Sequence, residues 1–266
     1  MKIAFIGGGN MGEAMLSALI DKGLGAAEDI SVSDVVEVRR KHLKQKYGVR
    51  VMSSNLEALP GSDVIVLAIK PQNLIEVMAE LSGQFNPVQL VLSIIAGTKI
   101  DTLCHGLKHG CIVRAMPNTP AQIGEGMSVW ATTAEVNEQQ RAWASSILGA
   151  MGREICVDDE EYLDMATAVS GSGPAYVFLF MESLVKAAVD IGLPEDIAKE
   201  LVLQTVLGSG HFAQKSGKEL AELRRMVTSP GGTTAEALLQ FEKGEFTGLV
   251  RKAVTAAFDR AKELGK

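Results

Sequence analysis

An apolar run, Ile3-Ala4-Phe5-Ile6, is halted at once by Gly7-Gly8-Gly9-Asn10-Met11-Gly12, and a helical pattern starts on the last of these residues. Few folds tolerate that order. A strand that turns through G-x-G-x-x-G directly into a helix opens a β-α-β unit that binds a dinucleotide. Gly7 permits the tight turn and Gly9 lets the backbone approach a pyrophosphate. Gly12 allows close helix packing, and the free N–H groups of the helix start face the anion.

More such units follow. Runs at 2–6, 30–33, 49–52, 63–69, 90–95, 112–115 and 127–131 read as strands, several apolar almost throughout, as in sheets covered on both faces. Helical patterns at 12–22, 36–47, 72–82 and 137–151 lie among them. This α/β alternation predicts an N-terminal Rossmann-type, parallel, doubly wound sheet. Beyond Asp158-Asp159-Glu160-Glu161 the β-branched runs stop and helical patterns continue to residue 266. The expected organisation is a dinucleotide-binding domain over 1–157 and an all-α domain over 158–266. The acidic cluster reads as helix N-terminal charge in preference to a catalytic carboxylate pair. The segment from Ala175 to Ile191 is apolar on nearly every face, so it must be surrounded. A second copy of the chain across a two-fold interface is expected to supply part of that cover; the alternative is a central helix buried within one chain.

Composition narrows the partners. The 266 residues are 47% hydrophobic and carry 32 acidic against 26 basic residues, a net charge of -6, with no basic stripe, so no nucleic acid is expected. The apolar start is too short for a signal peptide and no later stretch reads as long enough to span a membrane, so a cytoplasmic chain without a membrane partner is expected. Cys104, Cys111 and Cys156 lack C-x-x-C spacing, which suits a reducing compartment. Cys104, His105, His109 and Cys111 are metal-ligand types without a finger or ribbon spacing, and no metal is expected.

Asp34 lies at the end of the second strand, about 20 residues past the last glycine, where a carboxylate accepts from an adenosine ribose and repels a 2′-phosphate. Alone it favours NADH. Arg39, Arg40 and Lys41 could approach a phosphate, but read more simply as a solvated helix face, so NADH and NADPH both stay open. Ala68-Ile69-Lys70-Pro71 and Ile94-Ile95-Ala96-Gly97 end strands at the ligand-binding edge. The loop Met116-Pro117-Asn118-Thr119-Pro120 is placed beside the nicotinamide, or else is a rigid connector. Ser229-Pro230-Gly231-Gly232-Thr233-Thr234 precedes a helix-forming run; its N–H groups and hydroxyls suit a carboxylate, although capping by Thr233 or Thr234 would explain the threonines. His42 and His211 read as solvated or packed, and no Ser-His-Asp or Cys-His arrangement is visible, as cofactor-borne chemistry predicts.

Taken together, Gly-Gly-Gly-Asn-Met-Gly, Ala-Ile-Lys-Pro, Arg114-Ala-Met-Pro-Asn-Thr-Pro120, Ser170-Gly-Ser-Gly-Pro-Ala-Tyr176 and Ser229-Pro-Gly-Gly-Thr-Thr234 resemble the pyrroline-5-carboxylate reductases, from Phe5 to beyond Leu238. The resemblance implies reduction of 1-pyrroline-5-carboxylate to L-proline with NADP or NAD as cofactor. It implies a homodimer of intertwined helical domains that can assemble to a decamer. It places dinucleotide contacts on Ile6, Gly7, Gly8, Gly9, Asn10 and Met11 beside Gly12, on Asp34 and Asn55, on Ala68, Ile69, Lys70 and Pro71, and on Ile94, Ile95 and Ala96. Substrate contacts fall on Ser229, Gly232, Thr233 and Thr234, with the Thr234 hydroxyl bonded to the imine nitrogen. Asp34 departs from the serine expected there, and Arg225 stands where an acidic residue is common. Two rivals remain. β-Hydroxyacid dehydrogenases share Gly171-Ser-Gly but use a lysine shortly after, where this chain reads Pro174-Ala-Tyr-Val-Phe178. A dinucleotide-sensing protein would need no 229–234 loop.

Overall fold

The computed structural model describes residues 1–265. The chain forms two compact units, one of Met1–Ser172 together with the stretch from Ala257, the other of Gly173–Ala256.

The first unit is an eight-stranded sheet in the order β3 (Arg50–Met52), β2 (Ile30–Ser33), β1 (Ile3–Ile6), β4 (Val64–Leu67), β5 (Leu90–Ser93), β6 (Ile112–Met116), β7 (Gly126–Thr132) and β8 (Gly152–Cys156). β1, β2, β4 and β5 are buried along their whole length. Alternation along β1 shows why: Ile3 and Phe5 face one layer, Ala4 and Ile6 the other. Met15, Leu16 and Leu19 of α1 (Asn10–Asp21), Leu43 of α2 (Glu37–Tyr47) and Ile147 of α5 (Glu138–Gly149) fill the first layer. Leu74, Val77 and Leu81 of α3 (Leu74–Leu81) and Leu103 and Leu107 of α4 (Ile100–Leu107) fill the second.

The sheet departs from the all-parallel expectation at one place. β6 (Ile112–Met116) and β7 (Gly126–Thr132) pair antiparallel, because the link between them is a short 3-10 turn, Thr119–Ile123, rather than a helical crossover. β8 (Gly152–Cys156), parallel to β7, and helix α4 are also additions to the elements expected.

The acidic cluster packs into this unit through a buried arginine. Arg114 of β6 donates to Glu160 at 2.6 Å and to Asp164 of α6 (Glu161–Ala166) at 2.9 Å, and Glu160 also accepts the Ile100 N–H at 2.8 Å. Asp159 serves the helix start, accepting the Glu161 N–H at 2.8 Å.

The second unit contains α7 (Gly173–Asp190), α8 (Glu195–Ser216), α9 (Leu220–Met226), α10 (Thr233–Lys243) and most of α11 (Phe246–Leu264). α8 packs on α7, yet no α7 residue is buried: Phe178 is 55% and Leu179 64% exposed. The single chain therefore does not bury its most apolar helix, which removes the one-chain alternative. The helical run Glu161–Asp190 is long and apolar enough, by length and composition, to cross a membrane. This corrects the expectation that no stretch reaches that length: the run continues from α6 through a π turn, Thr167–Gly171, and a bend at Ser172 into α7.

Candidate functional site

Gly7 has φ +99°, and its N–H donates to the Ser33 carbonyl at 2.8 Å. A Cβ there would lie 2.7 Å from the Ala68 carbonyl oxygen; one at Gly12 would lie 2.6 Å from the Gly7 oxygen, and one at Gly8 would strike Leu43. At Gly8 the obstacle is the end of a leucine side chain, whereas at Gly7 and Gly12 it is backbone, so the chain's own packing demands Gly7 and Gly12. It does not demand Gly9, which caps α1 in an ordinary extended conformation and whose added Cβ would meet nothing within 4 Å. Gly9 borders open space before a helix start that no side chain caps. That is the cradle a pyrophosphate requires, so the residues present fit a dinucleotide. Gly9→Ala is expected to leave the melting temperature unchanged and to weaken NAD(P)H binding about tenfold. Calorimetric titration checks this, and undiminished affinity would remove the turn from the site.

The other expected cofactor segments converge on the same edge. Ala68 donates its N–H to Ile6 at 2.9 Å and Ile94 its N–H to Leu67 at 3.1 Å, so the ends of β1, β4 and β5 stand side by side. Asp34 follows β2; its carboxylate accepts the Gly8 N–H and the Val36 N–H, each at 2.8 Å. Asn55 accepts from the Ser33 hydroxyl at 2.6 Å and donates to Glu80 at 2.7 Å.

Two basic residues read as solvated are not. Arg39 donates to the carbonyls of Gly8 and Gly9 and pairs with Glu13, and Arg40 donates to the Asp34 carbonyl at 2.6 Å. Lys41 alone forms an exposed helix pair, with Glu37 at 2.7 Å. His42, exposed as expected of a solvated histidine, also meets Glu13, at 3.0 Å, and so is not alone. Nothing in the local sequence singles out Glu13. Burial opposes its charge, yet hydrogen bonds from His42, Lys46, Tyr47 and Arg39 outweigh that and lower its pKa to about 2.

Asn118 accepts the Met127 N–H at 2.8 Å and donates to the Ser170 carbonyl at 3.0 Å, tying its loop to the π turn. Its amide is spent on structure, which favours the rigid-connector reading. His109 meets the Gln89 carbonyl at 2.7 Å, and the Cys111 thiol donates to the carbonyls of Pro87 and Glu135.

In the helical unit, Gly231 turns the 229–234 loop at φ +67°, and Gly232 donates its N–H to the Ser229 carbonyl at 3.1 Å. Gly232 is the N-cap of α10, with Thr233 and Thr234 as the first helical residues and no side-chain cap. Capping by a threonine hydroxyl is therefore not the purpose of these residues.

Residues 160–264 match the family described as pyrroline-5-carboxylate reductase dimerisation, and residues 2–97 match NADP oxidoreductase, coenzyme F420-dependent. A pyrroline-5-carboxylate reductase of Synechocystis sp. is 43% identical over 100% of this chain and 99% of its own. The chain belongs to the pyrroline-5-carboxylate reductases. Among solved structures, a pyrroline-5-carboxylate reductase of Coxiella burnetii superposes with TM-score 0.92 at 38% identity, over 100% of this chain and 98% of that one. A Plasmodium falciparum pyrroline carboxylate reductase with NADP bound gives TM-score 0.89 at 33% identity, over the same shares. As a pyrroline-5-carboxylate reductase the chain is an NAD(P)-dependent oxidoreductase acting on a small molecule, and a subunit of an oligomer. The dimerisation match runs over α7 and α8, the helices whose apolar side chains one chain leaves exposed.

Proposed function

We propose that this chain reduces 1-pyrroline-5-carboxylate to L-proline, with the dinucleotide on residues 1–157 and with substrate binding and dimerisation on residues 158–266. The observation that carries the substrate assignment is the start of α10: a glycine N-cap, no side-chain cap, and two threonines whose hydroxyls are not spent on capping. Ser229, Gly232, Thr233 and Thr234 hold the substrate carboxylate through N–H groups and hydroxyls, where the helix dipole favours an anion. The Thr234 hydroxyl hydrogen-bonds the ring nitrogen and holds the ring in one orientation. A cyclic imine protonated on nitrogen is already a strong electrophile, so little acid–base machinery is needed. NADH or NADPH supplies the hydride that closes the C=N bond to the amine. Ile6, the glycine turn with Asn10 and Met11, Asp34, Asn55, the 68–71 segment and the 94–96 segment hold that cofactor.

The test follows oxidation of NADH and NADPH separately, with racemic pyrroline-5-carboxylate and with a 2-hydroxy acid as control. Imine-dependent oxidation is the expected result; none with either cofactor overturns the reading. The subunits pair as a cytoplasmic homodimer across α7, the unit from which the decamer implied by the family resemblance would be built. Sedimentation without detergent should give two chains or a multiple of two, and a lone chain would refute the pairing.

A further inference from the structure

Arg39 reaches back from the first turn of α2 to the glycine turn. Its Nε donates to the Gly8 carbonyl, and its Nη2 to the Gly9 carbonyl at 3.3 Å and to the Glu13 carboxylate. These bonds leave Nη1 without a hydrogen bond among the described residues, on a side chain that is 23% exposed. Glu13 holds this guanidinium as part of a larger cluster: its Oε1 also meets His42 Nε2 at 3.0 Å, Lys46 Nζ at 3.0 Å and the Tyr47 hydroxyl at 2.8 Å. Residues 39, 42 and 46 recur at helical spacing, so they share the face of α2 turned to α1. One carboxylate therefore faces two cations and a histidine. Arg40 adds a further cation on the Asp34 carbonyl. In a sheet of this type the adenosine ribose lies where β2 ends beside the glycine turn. Asp34, the residue that would repel a phosphate there, is held by two backbone N–H groups, those of Gly8 and Val36.

We infer that Arg39, held in place by Glu13 as a positioning residue, meets the 2′-phosphate of NADPH and lets this chain take that cofactor despite Asp34. The inference rests on the dinucleotide reading of the glycine turn. Arginine suits the task because its planar donors pair with phosphate while the rest of the group stays anchored. The low pKa of Glu13 keeps the anchor ionised well below neutral pH.

The test compares two ligand pairs differing by the 2′-phosphate, NADP+ against NAD+ and adenosine 2′,5′-bisphosphate against 5′-AMP, by calorimetric titration of the full chain. Arg39→Met should weaken both phosphorylated ligands about tenfold or more and change NAD+ and 5′-AMP less than about threefold. Glu13→Gln should give the same selective loss at smaller size, and Arg39→Lys should recover part of it. Retained NAD+ and 5′-AMP affinity shows in the same experiment that each variant is folded. Equal losses within each pair would make Arg39 a mere prop of the turn and overturn the inference, as would no loss in either. A parent chain that bound neither NAD+ nor NADP+ would overturn the dinucleotide reading itself.

Discussion

Thr234→Ala is expected to lower kcat for pyrroline-5-carboxylate reduction about 100-fold while the Kd for NAD(P)H stays within about twofold. The two effects separate because Thr234 belongs to the start of α10, whereas the glycine turn belongs to the sheet unit. Losing a hydroxyl oxygen that accepts from the ring N–H⁺ removes both orientation of the iminium and support for its protonated form. Thr234→Ser, which keeps the hydroxyl, should retain most of the turnover. A companion change, Ser229→Ala, acts on the carboxylate and should appear mainly in KM. Steady-state kinetics with calorimetric titration of the cofactor checks the set. Unchanged kcat in Thr234→Ala would remove that residue from the chemistry and leave α10 as a carboxylate site only.

Arg114→Met should cost about 3 kcal/mol of stability in urea unfolding, a large share of a typical domain's margin. The side chain is 4% exposed and holds Glu160 and Asp164, with Asp164 only 10% exposed. Without the guanidinium, two carboxylates face each other with no cation between them. Glu160 is 28% exposed, so water reaches it and keeps the loss near the lower end of the range for broken buried pairs. Combining Arg114→Met with Glu160→Gln and Asp164→Asn removes the stranded charge and should recover most of the loss. A single-variant cost under about 1 kcal/mol would show that solvent screens the cluster.

The strands were legible because being covered on both faces leaves an unmistakable mark: β1, β4 and β5 are short apolar runs ended by small or turn residues. β8 lacked that mark. Gly152-Arg-Glu-Ile-Cys156 sits at the sheet edge, only partly buried, and its charges break the apolar run. The direction of β7 was illegible for another reason, since an apolar run looks alike either way round and only the length and conformation of its connection decide. The pattern of α4 is weak because Gly106 and three polar residues, Asp101, Thr102 and His105, interrupt a short helix. Within the site, residues that act through their own backbone, such as Gly7 and Gly12, could be named from spacing. Glu13 could not, because its partners lie 26 to 34 positions away and meet it only when α2 lies against α1. The same distance hid the commitment of Arg39 and Arg40, whose sequence neighbourhood is that of any charged helix face.

With the subunits paired across α7 as proposed, folding of the helical unit and association are a single linked equilibrium, because one chain leaves Phe178 and Leu179 uncovered. The melting temperature then rises with protein concentration. Dilution becomes a denaturing condition, and a mutation on the outward face of α7 lowers the amount of enzyme in a cell without touching its turnover.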